Sequence, residues 1–151
     1  MPLPKSNSYT RDYIYSLKEG QRAELINGAI YDMAPPNRLH QKIQQVLSWS
    51  IETYIRKNNG TCEVYPAPFA VFLNADNKTY VEPDISVIFD KSKLDDRGCN
   101  GAPDWIVDIE KQFTTIYRYE EDAAPTIVPF QQEITVGIDR NLSINLSELL
   151  K

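Results

Sequence analysis

Two apolar runs in this sequence each carry an acidic residue among side chains that suit a buried strand. Asp84 lies in the run 80–89 and Asp108 in the run 104–110, and the odd-numbered positions of both runs are apolar. Burying a carboxylate is unfavourable unless it is paired, hydrated or bound to a metal. Two such carboxylates on neighbouring strands could jointly hold a hard divalent cation. Periodicity alone favours a plainer interpretation, in which the acids line a solvated face of a sheet.

Length and composition limit the possible classes of protein. With 151 residues, the chain fits a single domain, residues 1–151, that buries one core. The net charge of −5 argues against a general attraction to nucleic-acid phosphates, although it leaves room for a local basic surface. Cys62 and Cys99 lack the spacing of metal ligands and are expected to be cytosolic thiols. We expect no membrane span and no signal peptide, and therefore a cytoplasmic protein.

The clearest local signal is a β-hairpin over residues 23–33. Asn27-Gly28 supplies the two positive φ angles of a type I′ turn. In the register that this turn sets, Glu24 faces Tyr31.

Two helices are predicted, a short one over residues 10–18 that Thr10 caps and a long one over residues 37–57. The long helix has an apolar stripe at three- and four-residue spacing, which predicts that one face is buried. His40, the only histidine, lies in its first turn at the edge of that stripe. A lone helical histidine is more often a structural residue than a catalyst. From the first turn, however, it could face the acidic strands.

Most of the remaining sequence is predicted to form strands. They are expected over residues 62–73, 81–89, 104–110, 113–119, 126–128, 135–138 and 142–146, with an exposed polar loop or short turn of helix over 90–98. One long helix inserted among many strands indicates an α+β fold or a mixed α/β sheet.

Several motifs follow one another in an order that resembles one family. They are Glu24-Leu25-Ile26-Asn27-Gly28, His40-Gln41, Tyr65-Pro66-Ala67-Pro68-Phe69, Glu82-Pro83-Asp84-Ile85 and Gly101-Ala102-Pro103-Asp104-Trp105-Ile106-Val107. The family is that of the bacterial putative restriction endonuclease domains, in the restriction-endonuclease-like PD-(D/E)xK nuclease superfamily. The resemblance runs from about residue 9 to residue 108 and resumes to residue 150.

The resemblance implies a restriction-endonuclease-like mixed β-sheet with one long flanking helix and an N-terminal hairpin. It also implies hydrolysis of DNA with Mg²⁺ or Mn²⁺, cations that oxygen ligands suit. Asp84 matches the Pro-Asp carboxylate of the family and is implied as the primary metal ligand. Asp108 stands where the family usually has Glu and is implied as the second. Glu24 and His40 match recurrent polar positions and are implied as further catalytic residues at the rim of the site.

The sequence departs from the family pattern after the second acidic strand. The family continues with a turn, a helix that carries a basic residue and another strand, whereas this chain continues from Asp108 as if that segment had been lost. Lys111 does not replace the missing lysine, because three residues past Asp108 on an extended strand it points to the opposite face. Lys91 and Lys93 are expected in a loop. The departure implies weak metal binding and impaired or lost catalysis.

A lost helix and strand would also leave apolar surface or a strand edge uncovered. Such surface is normally covered by a partner or by an exchanged element. We therefore expect a homodimer, with swapped strands as one form of it.

Three functions stay open, and with them whether the chain is an enzyme. The first is a nuclease-like domain with degraded catalysis. The second is a working metal-dependent endonuclease whose lysine comes from elsewhere in the chain or from a dimer partner. The third is a non-catalytic DNA-binding or protein-interaction module. Metal-dependent DNA cleavage separates the second from the others. A salt-sensitive affinity for DNA separates a binding module from an inert remnant.

Overall fold

The computed structural model describes residues 8–73, 76–109, 113–116, 126–129, 133–135 and 143–145. In chain order the elements are α1 (Arg11–Tyr15), β1 (Ala23–Ile26), β2 (Ala29–Asp32), α2 (Arg38–Lys57), β3 (Glu63–Pro66), β4 (Ala70–Phe72), β5 (Ile85–Ile88), a 3₁₀ turn (Lys91–Lys93), β6 (Leu94–Asp95), β7 (Gly98–Asn100), β8 (Trp105–Asp108), β9 (Phe113–Ile116), β10 (Thr126–Pro129), β11 (Glu133–Thr135) and β12 (Ser143–Asn145). The predicted α+β fold class, with one long helix and an N-terminal hairpin, is confirmed.

The chain divides into two compact units. The first comprises Met1–Pro36, Ala70–Glu82 and Lys93–Ala102, and the second comprises Asn37–Phe69, Pro83–Ser92 and Pro103–Lys151. A single domain over residues 1–151 stays a prediction.

In the first unit, β1 and β2 form the hairpin in the predicted register. Asn27 and Gly28 have φ angles of 49° and 82°, and Glu24 pairs with Tyr31. α1 is shorter than predicted, since it ends at Tyr15, and the side chain of Thr10 makes no capping hydrogen bond. The residues of the turn therefore predict the hairpin register correctly, whereas the residue pattern before it overestimates the length of α1.

The same unit contains a three-stranded sheet in the order β4-β7-β6, in which β4 and β7 are parallel. Over the connection predicted at 90–98, the 3₁₀ turn at Lys91–Lys93 agrees with the predicted turn of helix, whereas the predicted loop is wrong for Leu94–Asp95 and Gly98, which lie in β6 and β7. The carboxylate of Asp95 accepts hydrogen bonds from the backbone N–H groups of Arg97 (2.8 Å) and Gly98 (3.2 Å), which close a tight turn between β6 and β7. Gly98 has a φ of 150°, and a Cβ there would lie 2.1 Å from the carbonyl oxygen of Ala70. Only glycine allows β4 to approach this closely.

In the second unit, five antiparallel strands form one sheet in the order β10-β9-β8-β5-β3, and β11 pairs with β12. Helix α2 begins one residue after the predicted start, because Asn37 is its N-cap, and ends at the predicted Lys57. Asn59, with a φ of 55°, and Gly60 follow its end. The predicted strand residues 117–119, 136–138, 142 and 146 lie outside the described residues.

The core of the second unit lies between α2 and one face of this sheet. Helix residues Leu47, Ile51 and Ile55 pack with sheet residues Ile85, Val87, Trp105 and Val107. Fully burying a side chain of this size contributes roughly 1.5–3 kcal/mol, so this layer fixes α2 on the sheet.

The opposite face of β5 is buried too. Ser86 and Ile88 are fully buried, and all four residues of β5 are inaccessible to solvent. This face of β5 is therefore not solvated, whereas Asp84 lies just before the strand and keeps 21% exposure. The strand is also shorter than predicted, because Tyr80 and Val81 form only isolated bridges, with Leu25 and Val71 in the first unit.

Within the described part of the chain, no helix is both long enough and apolar enough to cross a membrane. A cytoplasmic location stays a prediction. Cys62 and Cys99 are buried, and neither is in a disulfide bond.

Candidate active site

Asp84 lies immediately before β5 and is held from two sides. Its Oδ1 is 3.0 Å from Nε2 of His40, and its Oδ2 accepts a hydrogen bond of 2.8 Å from the backbone N–H of Ile109. The Asp84 and His40 side chains retain 21% and 22% exposure. The site therefore stays open to solvent and to a ligand.

The first two turns of α2 position His40. The side chain of Asn37 accepts a hydrogen bond of 2.8 Å from the backbone N–H of His40, which starts the helix at a fixed point. One turn later, Nε2 of Gln44 donates to the carbonyl oxygens of Asp84 (2.8 Å) and Ala67 (3.3 Å). These bonds attach the start of the helix to the chain entering β5 and the chain leaving β3.

Asp108 is the last residue of β8, the strand next to β5. Because Ile85 pairs with Val107 in this antiparallel pair, the next position along places Asp108 across from Asp84. Asp108 is half-buried. The structure thus brings His40, Asp84 and Asp108 to one end of the sheet.

The pKa of the Asp84 carboxyl is raised above its ordinary value. Burial is the main cause, and the negative charge of Asp108 adds to it. The hydrogen bond from Ile109 and the proximity of His40 act in the opposite direction. A cation near the two acids would relieve their repulsion.

Nδ1 of His40 is buried and has no hydrogen-bond partner among the described residues. If Nε2 carries the ring proton and donates to Asp84, Nδ1 is an unused acceptor. Within the described residues the imidazole is then held at Nε2 only.

Glu24 lies in β1, in the first unit. Its Oε1 accepts a hydrogen bond of 3.1 Å from the backbone N–H of Glu82, whose carboxylate in turn accepts bonds of 2.8 Å from Arg22 and Tyr80. Its catalytic role stays a prediction from the resemblance.

Sequence reasoning missed two groups that hold Asp84, the side chain of Gln44 and the backbone N–H of Ile109. The role of Gln44 could have been predicted, since it is a polar residue on the apolar face of α2, four positions after His40 and therefore on the same side of the helix. No sequence feature predicts the role of the Ile109 amide, because that role depends on how the ends of two strands lie side by side.

The residues present fit weak ligation of a hard cation. Two carboxylates, Asp84 and Asp108, are suitable oxygen ligands for Mg²⁺, which commonly binds one or two carboxylates and keeps several waters. No group of three or more His, Cys, Asp or Glu side chains in the described ranges has the arrangement of a metal cage. The donor set therefore supports an open, low-affinity site.

The five-stranded antiparallel sheet, the long helix packed across it and the paired acids at adjacent strand ends are consistent with a restriction-endonuclease-like fold. The chain belongs to the Uma2 family, described as "Putative restriction endonuclease", whose sequence profile matches residues 10–125. The family resemblance seen in the sequence is thus confirmed.

A solved structure shares this fold. It is described as a "putative nuclease belonging to DUF820" from Anabaena variabilis, and it superposes with a TM-score of 0.61 at 17% sequence identity. The superposition covers 93% of this chain and 96% of that one. No curated protein matches the sequence.

Proposed function

We propose that this chain acts on DNA as a nuclease-fold protein that requires Mg²⁺ or Mn²⁺ and whose hydrolytic activity is strongly impaired. The observation that carries the proposal is the environment of Asp84. Within the described residues its partners are an imidazole, a backbone amide and a second acid, and none is a lysine. Membership of a restriction endonuclease family supports DNA as the polymer.

The lysines near this part of the sequence are engaged elsewhere or undescribed. Nζ of Lys91 lies 3.7 Å from a carboxylate oxygen of Glu63, and Nζ of Lys93 donates to the carbonyl oxygen of Ala102. Lys111 lies outside the described residues. Removing one preorganised electrostatic group from an active site commonly costs on the order of a hundredfold to a thousandfold in rate. We infer a loss of at least that size.

The chain's own residues retain part of the required chemistry. Asp84 and Asp108 would hold the metal, which supplies charge neutralisation at a phosphate and a more acidic bound water. His40 orients the Asp84 carboxylate from one side, and the Ile109 amide does so from the other. Because both oxygens of Asp84 already accept a bond or contact a donor, a metal has to share them, which supports weak affinity.

The test is nicking of supercoiled plasmid by the purified chain with Mg²⁺ or Mn²⁺, with Asp84→Asn as the matched control. We expect the parent chain to show no nicking above the control within hours. Titration with Mn²⁺, followed by electron paramagnetic resonance, should show weak binding that Asp84→Asn and Asp108→Asn each reduce. Robust nicking by the parent that Asp84→Asn lacks would overturn the proposed impairment.

The lack of a lysine partner at Asp84 among the described residues also favours a second candidate function, binding of DNA without cleavage. A salt-sensitive DNA affinity in the absence of nicking supports this candidate. If the chain neither binds nor nicks DNA, the proposal of a DNA substrate is wrong, and a protein-interaction module remains.

A further inference from the structure

Helix α2 exposes a tryptophan on the side opposite its buried face. The Trp49 side chain is 69% exposed, whereas Trp105, the other tryptophan, is fully buried. The buried residues Leu47, Ile51 and Ile55 lie on the sheet side of the helix. Isolated exposed apolar side chains are normal on protein surfaces, so Trp49 alone indicates nothing.

The neighbours of Trp49 change that interpretation. At 3.6 residues per turn, one line along the outer side of α2 joins five exposed residues, here called the outer stripe: Arg38, Lys42, Gln45, Trp49 and Arg56. The stripe is about 27 Å long, at ~1.5 Å per residue. The same line passes through the partly exposed Glu52, which pairs with Arg56 at 2.7 Å, so the other positive charges of the stripe are those of Arg38 and Lys42.

The helix is cationic in an otherwise acidic chain. α2 has four Lys or Arg residues and one Glu, whereas the whole chain has 16 Lys or Arg residues against 21 Asp or Glu. Net positive charge on a helix that also exposes an aromatic ring favours an anionic partner.

We propose that the outer stripe of α2 binds single-stranded nucleic acid, with one base stacked on Trp49 and phosphates on Arg38 and Lys42. The choice of nucleic acid rests on the proposed function. Base stacking on an aromatic side chain is tolerant of sequence, and cationic side chains follow the backbone. An unpaired strand is favoured over a duplex because a protruding tryptophan reaches a base face only after the base has left its stack.

The experiment measures binding of a fluorescein-labelled oligothymidine and of a duplex of equal length, by anisotropy, in EDTA. EDTA makes the result independent of a metal at Asp84 and Asp108. The binding assay therefore tests the outer stripe, whereas the nicking and Mn²⁺ assays test the proposed function. We expect the single strand to bind more tightly than the duplex and to quench Trp49 emission. Trp49→Ala should weaken binding about fivefold to a hundredfold, while Trp49→Phe, which keeps a ring, should retain most of it.

Charge variants test the phosphate contacts. Lys42→Ala should lower the slope of log affinity against log salt by about 0.7, the value for one single-strand phosphate. Lys42→Glu should weaken binding more than Lys78→Glu, the same charge change at an exposed lysine of the first unit. Tyr15→Ala, which removes an aromatic ring that is 53% exposed, should leave binding unchanged.

Four results would overturn the proposal. They are no binding by the parent chain, equal binding by the parent and Trp49→Ala, equal effects of Lys42→Glu and Lys78→Glu, and displacement of the oligonucleotide by polyglutamate at equal charge concentration. The last result would instead indicate an acidic protein as the partner. Circular dichroism and unfolding midpoints verify that each variant is folded.

Discussion

Nε2 of His40 lies 3.0 Å from Oδ1 of Asp84, and this contact joins the first turn of α2 to the chain entering β5. Bonds from Asn37 and Gln44 hold the helix on either side of it. The contact therefore lies between two further hydrogen bonds, and burial, with a smaller contribution from the negative charge of the adjacent Asp108, raises the pKa of the Asp84 carboxyl. Carboxyl groups with a perturbed pKa beside a second acid cluster at functional sites.

The raised pKa of Asp84 predicts a specific dependence of stability on pH. Below the ordinary aspartate pKa of about 3.9, Asp84 is protonated in the folded and unfolded states and its ionisation costs nothing. As the pH rises through the raised folded-state pKa, the unfolded chain releases this proton more readily, so the free energy of unfolding falls. Asp84→Asn removes this loss.

This loss of unfolding free energy is measured by urea unfolding of the parent and of Asp84→Asn between about pH 3.5 and 7. The stability of the variant relative to the parent should increase across that window and then level off. Asp12→Asn, which removes an exposed carboxylate of α1, serves as the control. A relative stability of Asp84→Asn that stays constant or decreases with pH would contradict the assignment.

The N-cap of α2 gives a second prediction. Asn37→Ala removes the acceptor for the His40 backbone N–H and should lower the free energy of unfolding by about 0.5–2 kcal/mol. Asn37→Ser keeps a capping oxygen and should stay close to the parent. If both variants are equally destabilised, the loss comes from some other contact of Asn37 and the cap is not what fixes the start of the helix.

Features set by neighbouring residues could be predicted from the sequence, whereas features set by residues far apart in the chain could not. The hairpin register follows from Asn27-Gly28, and the start of α2 follows from Asn37, because both depend on neighbouring residues only. The sheet β4-β7-β6 was missed because its strands have two or three residues each, and β4 finds its parallel partner far along the chain. Parallel pairing leaves no local turn signal.

The candidate site shows the same division. Asp84, Asp108 and His40 could be named from residue type and family resemblance, and the structure brings them together. The details that set the chemistry could not be predicted. The amide of Ile109 and the side chain of Gln44 reach Asp84 only through tertiary packing, and so does the burial that raises its pKa.

The expected homodimer now has a candidate surface. β10 is at one edge of the described five-stranded sheet, and Ile127 on it is 62% exposed. An edge strand with an exposed apolar side chain favours pairing with another chain.

We therefore predict that the chain is a dimer at tens of micromolar, measured by light scattering coupled to size-exclusion chromatography. Ile127→Glu should shift the dimer to the monomer, because each copy would then bring a negative charge to the paired edge and the two charges would repel. Leu39→Glu makes a similar change at a side chain that is 65% exposed on α2 and should leave the dimer intact. A parent chain that elutes with the mass of a monomer, or a dimer that only Leu39→Glu disrupts, would show that the β10 edge is not where two copies meet.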